Sequence, residues 1–177
     1  MRVLTDIFPD VFIIELTSFK DDRGYFFESF QTERYRTHKI ETHFVQDNFS
    51  HSKKNVLRGL HFQIEKPQGK LIFVGKGKIC DVIVDIRPHS ATFKKYMKVE
   101  LSETNHKQIY IPPGYAHGFC VLSEGADVMY KCTEFYHPEL ERGIVWNDPD
   151  LAIDWSVENP ILSPKDAVLP RLKDIIL

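Results

Sequence analysis

His61 is the residue whose surroundings best suit acid-base chemistry. It follows Arg58 in the segment RGLHF, a strand-like run in which Leu57, Leu60 and Phe62 are apolar. An imidazole among apolar neighbours can take up and release a proton near neutral pH. A core histidine that is hydrogen-bonded to a backbone carbonyl produces the same local pattern. This segment alone therefore fits a structural histidine at least as well as a catalytic base.

Three other side chains could take part in such chemistry, and each has a structural alternative. Lys70 begins an apolar run, where a lysine is unusual if it points inward and ordinary if it points to solvent. Tyr130 can be a general acid or a buried tyrosine with a satisfied hydroxyl. His117 follows the Pro-Gly turn of PPGYAHGF, where it can face a ligand at the mouth of a barrel or lie on the surface. The residue types alone do not choose between these interpretations.

The pattern of histidines and cysteines argues against a metal site. Small barrels of the cupin type often bind a divalent ion through an HxH pair, but the position two after His61 is Gln63, and the eight histidines form no HxH or HxxxH pair. Cys80, Cys120 and Cys132 are odd in number and form no CxxC pair. Metal dependence is therefore the weaker hypothesis, and the cysteines are predicted to be free thiols without a disulfide framework.

Length and composition limit the class of protein. The chain has 177 residues, of which 42% are hydrophobic and 27% are charged, so we expect one ordered domain over residues 1–177. The formal net charge of −2 gives no reason to expect nucleic acid or an anionic membrane as a partner. The N-terminus has acidic residues and Pro9 where a signal peptide would need an unbroken apolar run. The protein is therefore predicted to be cytoplasmic.

Short runs of β-branched and aromatic residues, separated by turn residues, predict an all-β architecture. In LIFVGKGKICDVIVDIR, residues 71–87, Gly75 and Gly77 separate two apolar runs, a pattern that predicts a β-hairpin. About nine or ten strands in one chain favour a jelly roll or related barrel. QTERYRTHKI is the best helix candidate, and the proline-containing tail from 149 to 177 predicts extended chain and short turns. The other predicted strands are 11–16, 24–30, 44–50, 55–63, 96–101, 108–112, 118–122 and 127–136.

A long series of segments follows the same order as in one known family, and these segments are DDRGYFFESF, FVQDNFS, VLRGLHFQ, QGKL, GKGKICDVIVDIRPHSATF, IPPGYAHGF, YKCTEFYHPELERGI, WNDPDLAIDW and ILSPKDA. Through nearly the whole chain they resemble the dTDP-4-dehydrorhamnose 3,5-epimerase family. The resemblance implies a cupin-like jelly roll that forms a homodimer, in which the N-terminal part crosses to the partner and helps complete its active site. It implies a substrate class, a nucleotide-linked 4-keto-6-deoxyhexose that is inverted at C3 and C5 on the way to the L-rhamnose donor, with no metal and no redox cofactor.

The resemblance also implies catalytic roles for four residues. A ketone at C4 makes the protons on C3 and C5 removable, because the resulting carbanion is an enolate. His61 is then the base, and Asp166 of SPKDA holds its imidazole in one tautomer. Lys70 is expected to stabilise the enolate oxygen by its positive charge. Tyr130 is expected to return a proton on the opposite face of the sugar, which makes the outcome an inversion.

Further matching positions imply contacts with the substrate. Arg23, Arg58, Gln46 and Asn48 are expected near the diphosphate and the sugar, since arginine forms bidentate contacts with phosphate oxygens. Phe26 and Glu28 are expected near the base and the deoxyribose, and Tyr136 is expected to stack on the ligand. The full set of expected binding residues is Arg23, Phe26, Glu28, Gln46, Asp47, Asn48, Arg58, His117, Tyr136, Glu141 and Lys165.

Three alternatives to a double epimerase stay open. Small departures from the family pattern, such as Phe49 and His51 in QDNFSHS, leave room for epimerisation at only one carbon of a related nucleotide deoxysugar. A sugar-nucleotide-binding barrel without catalysis is disfavoured by the joint presence of the four expected catalytic residues. A metal-dependent cupin isomerase or oxygenase is disfavoured by the lack of an HxH motif.

Overall fold

Two antiparallel β-sheets account for most of the secondary structure in this computed structural model, which describes all 177 residues. One helix, α1 at Thr32–Thr37, and two short 3₁₀ helices, at Asp166–Val168 and Leu172–Asp174, lie outside the sheets. The arrangement confirms the predicted all-β jelly roll with short peripheral helices. The strands are β1 (Arg2–Leu4), β2 (Phe12–Glu15), β3 (Phe19–Asp21), β4 (Gly24–Phe26), β5 (Gln46–Lys53), β6 (Leu57–Gln63), β7 (Lys70–Lys76), β8 (Lys78–Asp85), β9 (Tyr96–Ser102), β10 (Lys107–Ile111), β11 (Tyr115–Val121), β12 (Gly125–Cys132) and β13 (Glu141–Gly143).

The strand order brings segments that are distant in sequence side by side. The six-stranded sheet has the order β1-β2-β10-β7-β12-β5, and the five-stranded sheet has the order β13-β6-β11-β8-β9. β3 and β4 form a separate two-stranded hairpin. Because β12 lies between β5 and β7, and β6 lies between β11 and β13, residues from most of the chain can meet in one site.

An apolar core of 16 buried residues fills the space between the two sheets. Alternation along the strands places Ile72 and Val74 of β7 in this core, together with Ile79 and Ile83 of β8. A second core covers the outer face of the five-stranded sheet, where the tail contributes Trp155. Because both faces of this sheet are covered, β8 is apolar along most of its length.

β7 and β8 do not form the predicted hairpin. β7 pairs with β10 and β12, whereas β8 pairs with β9 and β11 in the other sheet. The chain crosses between the sheets at Gly77, which has a φ of 77° and where a Cβ would overlap the carbonyl oxygen of Gly125. Two apolar runs around a glycine look the same for a hairpin and for such a crossing, so the prediction is wrong about the pairing.

Other predicted elements are present with different ends. The strand predicted at 24–30 ends at Phe26, and the strand predicted at 127–136 ends at Cys132. The helix predicted at 31–40 covers only Thr32–Thr37. β1, β3 and β13 have three residues each, which is too short for a recognisable alternation. None of the helices has the length and apolar character needed to cross a membrane.

Gly59 in RGLHF permits the close approach of β6 to β11. Its φ is 115°, and a Cβ at this position would lie 2.6 Å from the Cα of Gly118. Such a conformation and such a contact are available only to glycine. The close pairing places His61 directly opposite His117, just before an irregularity in the pairing between His117 and Phe119.

Candidate active site

A cavity of about 560 Å³ lies where β5, β7 and β12 of one sheet face β6, β11 and β13 of the other. Its size is in the range of small-molecule sites. Eleven of the residues expected from the sequence to act or bind line it, which are Gln46, Asn48, Arg58, His61, Lys70, His117, Tyr130, Tyr136, Glu141, Lys165 and Asp166.

His61 and Asp166 form a hydrogen-bonded pair on one wall of the cavity. His61 Nε2 lies 2.7 Å from Asp166 Oδ1, although the residues are 105 positions apart in sequence. Asp166 is 3% exposed and accepts a second bond from the Gly59 N–H at 3.4 Å. Burial would raise the pKa of Asp166. The hydrogen bond and the electrostatic attraction from His61 outweigh this effect and hold that pKa below its usual value. The carboxylate therefore fixes Nε2 as the donor and leaves Nδ1 free to act as a base.

Glu141 joins three other groups at the rim. Its Oε2 accepts a hydrogen bond from the Tyr136 hydroxyl at 2.8 Å and pairs with Lys165 Nζ. Its Oε1 lies 3.9 Å from His61 Nδ1. Burial would raise the pKa of Glu141, but the contacts from Lys165 and Tyr136 outweigh it and lower that pKa. Glu141 is therefore a carboxylate at neutral pH.

Lys70 lies at the start of β7 and lines the cavity, on the same side of the strand as the core residues Ile72 and Val74. The inward orientation that the sequence left open is therefore the observed one. Burial lowers the pKa of Lys70, and the nearby Cys132 and Glu141 partly offset this effect. A positive charge at this position, facing the cavity, is well placed to stabilise an anion that enters it.

Tyr130 approaches the cavity from the sheet opposite to His61. It lies on β12, with Asn48 of β5 and Ile72 of β7 as its neighbours across the strands. Burial raises the pKa of Tyr130, and the nearby Cys132 adds to this effect. The hydroxyl therefore keeps its proton at neutral pH and can donate it from the wall that faces His61.

Polar side chains of β5 form another part of the wall. Gln46, Asn48 and Ser50 line the cavity because alternate residues of a strand point to the same side. Gln46 Nε2 donates to Asn48 Oδ1 at 3.0 Å. Arg58 Nε donates to Ser52 Oγ at 2.9 Å, which holds the guanidinium beside this polar wall.

Three expected binding residues of the N-terminal part lie outside the cavity. Arg23 pairs with Asp21 at 2.6 Å in the β3–β4 hairpin, and Phe26 is 69% exposed. Glu28 pairs with Arg34 at 3.2 Å. Within one chain, therefore, the structure does not bring these three residues to the site, and their binding roles stay predictions.

Asp47 also lies outside the cavity. It follows Gln46 on β5 and so points to the opposite side of the strand, where its carboxylate pairs with Lys131 Nζ at 3.0 Å. The alternation of β5, which places Gln46 and Asn48 at the cavity, excludes Asp47 from it.

Asp81 is a residue that sequence reasoning did not single out. It is fully buried on β8, and its Oδ2 lies 2.8 Å from His117 Nε2, while Oδ1 has no hydrogen-bond partner. Burial raises the pKa of Asp81, and His117 and Lys70 partly offset this effect. An acidic residue in the apolar run ICDVIVD was the available signal, because a charge in a buried strand needs a partner. Ser50, Gln68 and Ser163, which also line the cavity, carried no such signal.

The site thus combines an imidazole paired with a carboxylate, a lysine and a protonated hydroxyl around one cavity. No group of three or more His, Cys, Asp or Glu side chains is placed to hold a metal ion. The arrangement suits proton removal next to a carbonyl, with the resulting negative charge held by Lys70.

Comparisons with known proteins point to one enzyme family. A family model described as dTDP-4-dehydrorhamnose 3,5-epimerase matches residues 5–174. The chain is 49% identical over 179 residues to the dTDP-4-dehydrorhamnose 3,5-epimerase of Escherichia coli strain K12, a match that covers 99% of this chain and 97% of the relative. It is 46% identical over 167 residues to a Neisseria gonorrhoeae protein of the same name, covering 94% of this chain but only 51% of that longer relative.

A similar solved structure extends the comparison to a bound ligand. The crystal structure of a dTDP-6-deoxy-D-glucose-3,5-epimerase from Legionella pneumophila Philadelphia 1, in complex with dTDP-4-keto-L-rhamnose, superposes with a TM-score of 0.96. The two sequences are 49% identical, and the match covers 99% of this chain and 94% of the other.

Proposed function

Because the chain belongs to the dTDP-4-dehydrorhamnose 3,5-epimerase family, we propose that it converts dTDP-4-dehydro-6-deoxy-D-glucose to dTDP-4-dehydro-L-rhamnose by inverting C3 and C5. The observation that carries the proposal is the position of His61 and Tyr130 on opposite walls of one cavity. A base and an acid on opposite faces of a sugar ring are what an inversion requires.

The first chemical step is removal of a proton from a carbon next to the C4 ketone. His61 Nδ1 takes this proton, and the electron pair of the C–H bond passes into an enolate. Asp166 orients the ring through Nε2 and stabilises the imidazolium that forms. Lys70 holds the negative charge on the enolate oxygen. Tyr130 then gives its proton to the same carbon from the other face. General acid-base steps of this kind contribute about 10² to 10⁴-fold each.

The diphosphate of the substrate is expected at the cationic part of the cavity. Arg58 and Lys165 both line the cavity near the rim, where they meet solvent. Their charges compensate for the diphosphate in a protein whose net charge is slightly negative. Tyr136, which is 47% exposed beside Glu141, is expected to stack on the ligand.

The N-terminal hairpin supports a homodimer in which each chain completes the site of the other. Phe19, Tyr25 and Phe26 of this hairpin are all more than half exposed, which is unusual for large apolar side chains in one small hairpin. Arg23 lies between them at the tip. If the hairpin reaches a partner subunit, Arg23, Phe26 and Glu28, which lie outside the cavity of their own chain, can contribute to the cavity of that subunit.

Mixing two inactive variants tests the exchanged hairpin. Random pairing of Arg23→Ala chains with His61→Asn chains gives heterodimers with one intact site if Arg23 acts in the partner's cavity, so about a quarter of wild-type activity is expected. If Arg23 acts in its own chain, or if the protein is a monomer, mixing restores nothing.

Deuterium incorporation tests the reaction itself. The protein is incubated with dTDP-4-keto-6-deoxyglucose in D₂O, and C3 and C5 of the product are followed by NMR. Deuterium at both carbons with inverted configuration is expected; deuterium at one carbon means a mono-epimerase, and deuterium at neither rejects the proposal.

Tyr130→Phe is expected to keep some exchange and lose inversion, so normal inversion in this variant would reject Tyr130 as the acid. Loss of activity on exhaustive chelation would favour the metal-dependent alternative.

A further inference from the structure

Two inversions by one base leave a proton on His61 twice in each catalytic cycle. Tyr130 donates on the opposite face, so the proton that His61 has taken does not return to the sugar in the same inversion. It must leave the site before His61 can act again. The structure offers two sides of the imidazole through which it could leave.

The Nε2 side of His61 is closed. Its partner Asp166 is 3% exposed, and its two carboxylate oxygens face His61 and the Gly59 N–H. The 3₁₀ helix at Asp166–Val168 packs against β6, the strand that carries His61. A proton on Nε2 therefore has no short route to solvent.

The Nδ1 side of His61 faces a carboxylate that is held in position. Lys165 and the Tyr136 hydroxyl both contact Glu141 on Oε2, so Oε1 is the atom that points to His61, 3.9 Å from Nδ1. This separation is about 1 Å longer than a hydrogen bond and can be closed by a small movement or by one bridging water. Tyr136 is 47% exposed, so the far side of Glu141 lies at the solvent boundary.

We propose that Glu141 accepts the proton that His61 removes from the sugar and releases it to solvent beside Tyr136. The inference rests on the proposed epimerase function and adds a proton exit to it. In the first transfer the N–H bond at Nδ1 breaks and an O–H bond forms at Glu141 Oε1, which leaves neutral imidazole and a neutral carboxyl group. In the second transfer the carboxyl group gives its proton to water or to a buffer base. Tyr130 takes one proton from solvent in place of the proton that it gave to the sugar, so the enzyme returns to its starting state. Lys165 and Tyr136 act as positioning residues, since they fix Oε2 and thereby aim Oε1.

Buffer-dependent turnover distinguishes a proton exit from a binding role. At saturating substrate, constant pH and constant ionic strength, kcat is measured with rising concentrations of a small buffer base such as imidazole. Wild-type kcat is expected to be independent of the buffer. Glu141→Gln is expected to lower kcat about tenfold, because water replaces the carboxylate as acceptor, and its kcat is expected to rise with buffer concentration. A residue that only binds substrate changes KM, and added buffer does not restore it.

The controls separate this proposal from general damage to the site. Glu139→Gln makes the same substitution two residues away on an exposed carboxylate that pairs with His137, and its kcat is expected to match wild type at all buffer concentrations. If Glu141→Gln does not fold, Tyr136→Phe carries the test, with about threefold lower kcat and the same response to buffer. A kcat that does not depend on buffer in the folded variant overturns the relay. That result leaves the epimerase proposal standing if wild type still incorporates deuterium at C3 and C5.

Discussion

Strand β8 carries two buried aspartates, Asp81 and Asp85, which differ in the number of their hydrogen-bond partners. Asp81 lies beneath the cavity, where Oδ2 contacts His117 and Oδ1 has no partner. Asp85, about 13 Å further along the strand, ends β8 next to a turn. It accepts bonds from the backbone and guanidinium of Arg87 and from the hydroxyls of Ser90 and Thr92.

The partners decide the direction of the pKa shift at each position. Burial raises the pKa of Asp81, because one histidine compensates only part of the lost hydration. Burial acts in the same direction on Asp85, but the bonds from Arg87, Ser90 and Thr92 outweigh it and lower the pKa far below its usual value. Asp81 therefore destabilises the fold when ionised, whereas Asp85 stabilises it.

The neighbouring cations show the same contrast. Arg87 pairs with Asp85 at 2.8 Å and with Asp10 at 2.7 Å, and its pKa is raised. Lys70, near Asp81, has a pKa that burial lowers. In the turn region, defined by Asp85 and Arg87, the charges are therefore paired with each other. In the cavity region, defined by Asp81 and Lys70, they are only partly compensated. A ligand can complete only the second.

The largest expected effect is loss of activity without loss of stability in the cavity. His61→Gln places an amide N–H near the position of Nε2, where it can donate to Asp166, but it has no basic nitrogen, so kcat is expected to fall by about 10³-fold or more. The free energy of unfolding is expected to stay within about 1 kcal/mol of wild type. Steady-state kinetics and urea denaturation measure the two quantities.

A second His–Asp pair supplies the matched control. His51 and Asp127 are 2.5 Å apart on an exposed part of β5 and β12. His51→Asn is expected to keep activity within about twofold of wild type, since surface substitutions of this kind change little. Equal losses in His51→Asn and His61→Gln, each of which keeps an amide at the nitrogen that faces the aspartate, would mean that the His61 pair has no special role.

The second largest expected effect is a loss of stability without a loss of activity, and it lies in the turn region. Asp85→Asn puts an amide where Arg87, Ser90 and Thr92 all donate, so the free energy of unfolding is expected to fall by about 2 to 4 kcal/mol. The kcat of the folded fraction is expected to stay near wild type, because none of these residues lines the cavity. Urea denaturation followed by fluorescence gives the first quantity.

Asp154→Asn is the control for the turn region. This exposed carboxylate pairs with Lys98 at 2.7 Å, and exposed pairs contribute little to stability because solvent screens them. If Asp85→Asn destabilises no more than Asp154→Asn does, the turn network is not the stabilising element that its hydrogen bonds indicate.

The sequence predicts the strands of this fold better than their partners. Alternation along β5 and β12 identifies which residues share a face, but it carries no information on which strand lies alongside. The apolar runs on either side of Gly77 are compatible with a hairpin and with a crossing between sheets. Only the covering of both faces of β8 explains why apolar residues occur on both faces of the run from Ile79 to Ile86.

In the candidate site, too, the sequence predicts single residues better than the residues that they meet. His61 and Asp166 are 105 residues apart, and local patterns gave neither of them a firm role; the resemblance to a family supplied the pair. Asp81 was missed because no motif contained it as a functional residue, although its charge in a buried strand was visible. Arg23 and Phe26 are exposed in a single chain, so their place in a site depends on a partner chain.

Asp81→Asn sharpens the comparison on β8. Replacement of a buried carboxylate that has one unpaired oxygen is expected to leave the free energy of unfolding unchanged or to raise it by about 1 kcal/mol. The same change removes the charge that faces His117 and Lys70, so kcat/KM is expected to fall by about 10- to 100-fold. Denaturation and kinetics on one sample measure both. A loss of stability as large as that of Asp85→Asn would show that the two aspartates are equivalent structural groups.

The smallest effect is the pH dependence of stability, and it has opposite signs for the two aspartates. The pKa of Asp85 is lower in the folded than in the unfolded protein, where an aspartate titrates near pH 3.9; its stabilisation is full above that value and is lost as pH falls toward the folded pKa. The pKa of Asp81 is raised by burial, so its ionisation lowers stability above the folded pKa, and this loss disappears as pH falls.

Asp85→Asn is therefore expected to flatten the decline in the free energy of unfolding below about pH 4. Asp81→Asn is expected to be most stable relative to wild type at neutral pH and to lose that advantage toward pH 4. Urea denaturation of the three proteins at pH 7, 5, 4 and 3 tests both signs, and parallel curves for all three would contradict the assignment of a stabilising charge to one aspartate and a destabilising charge to the other.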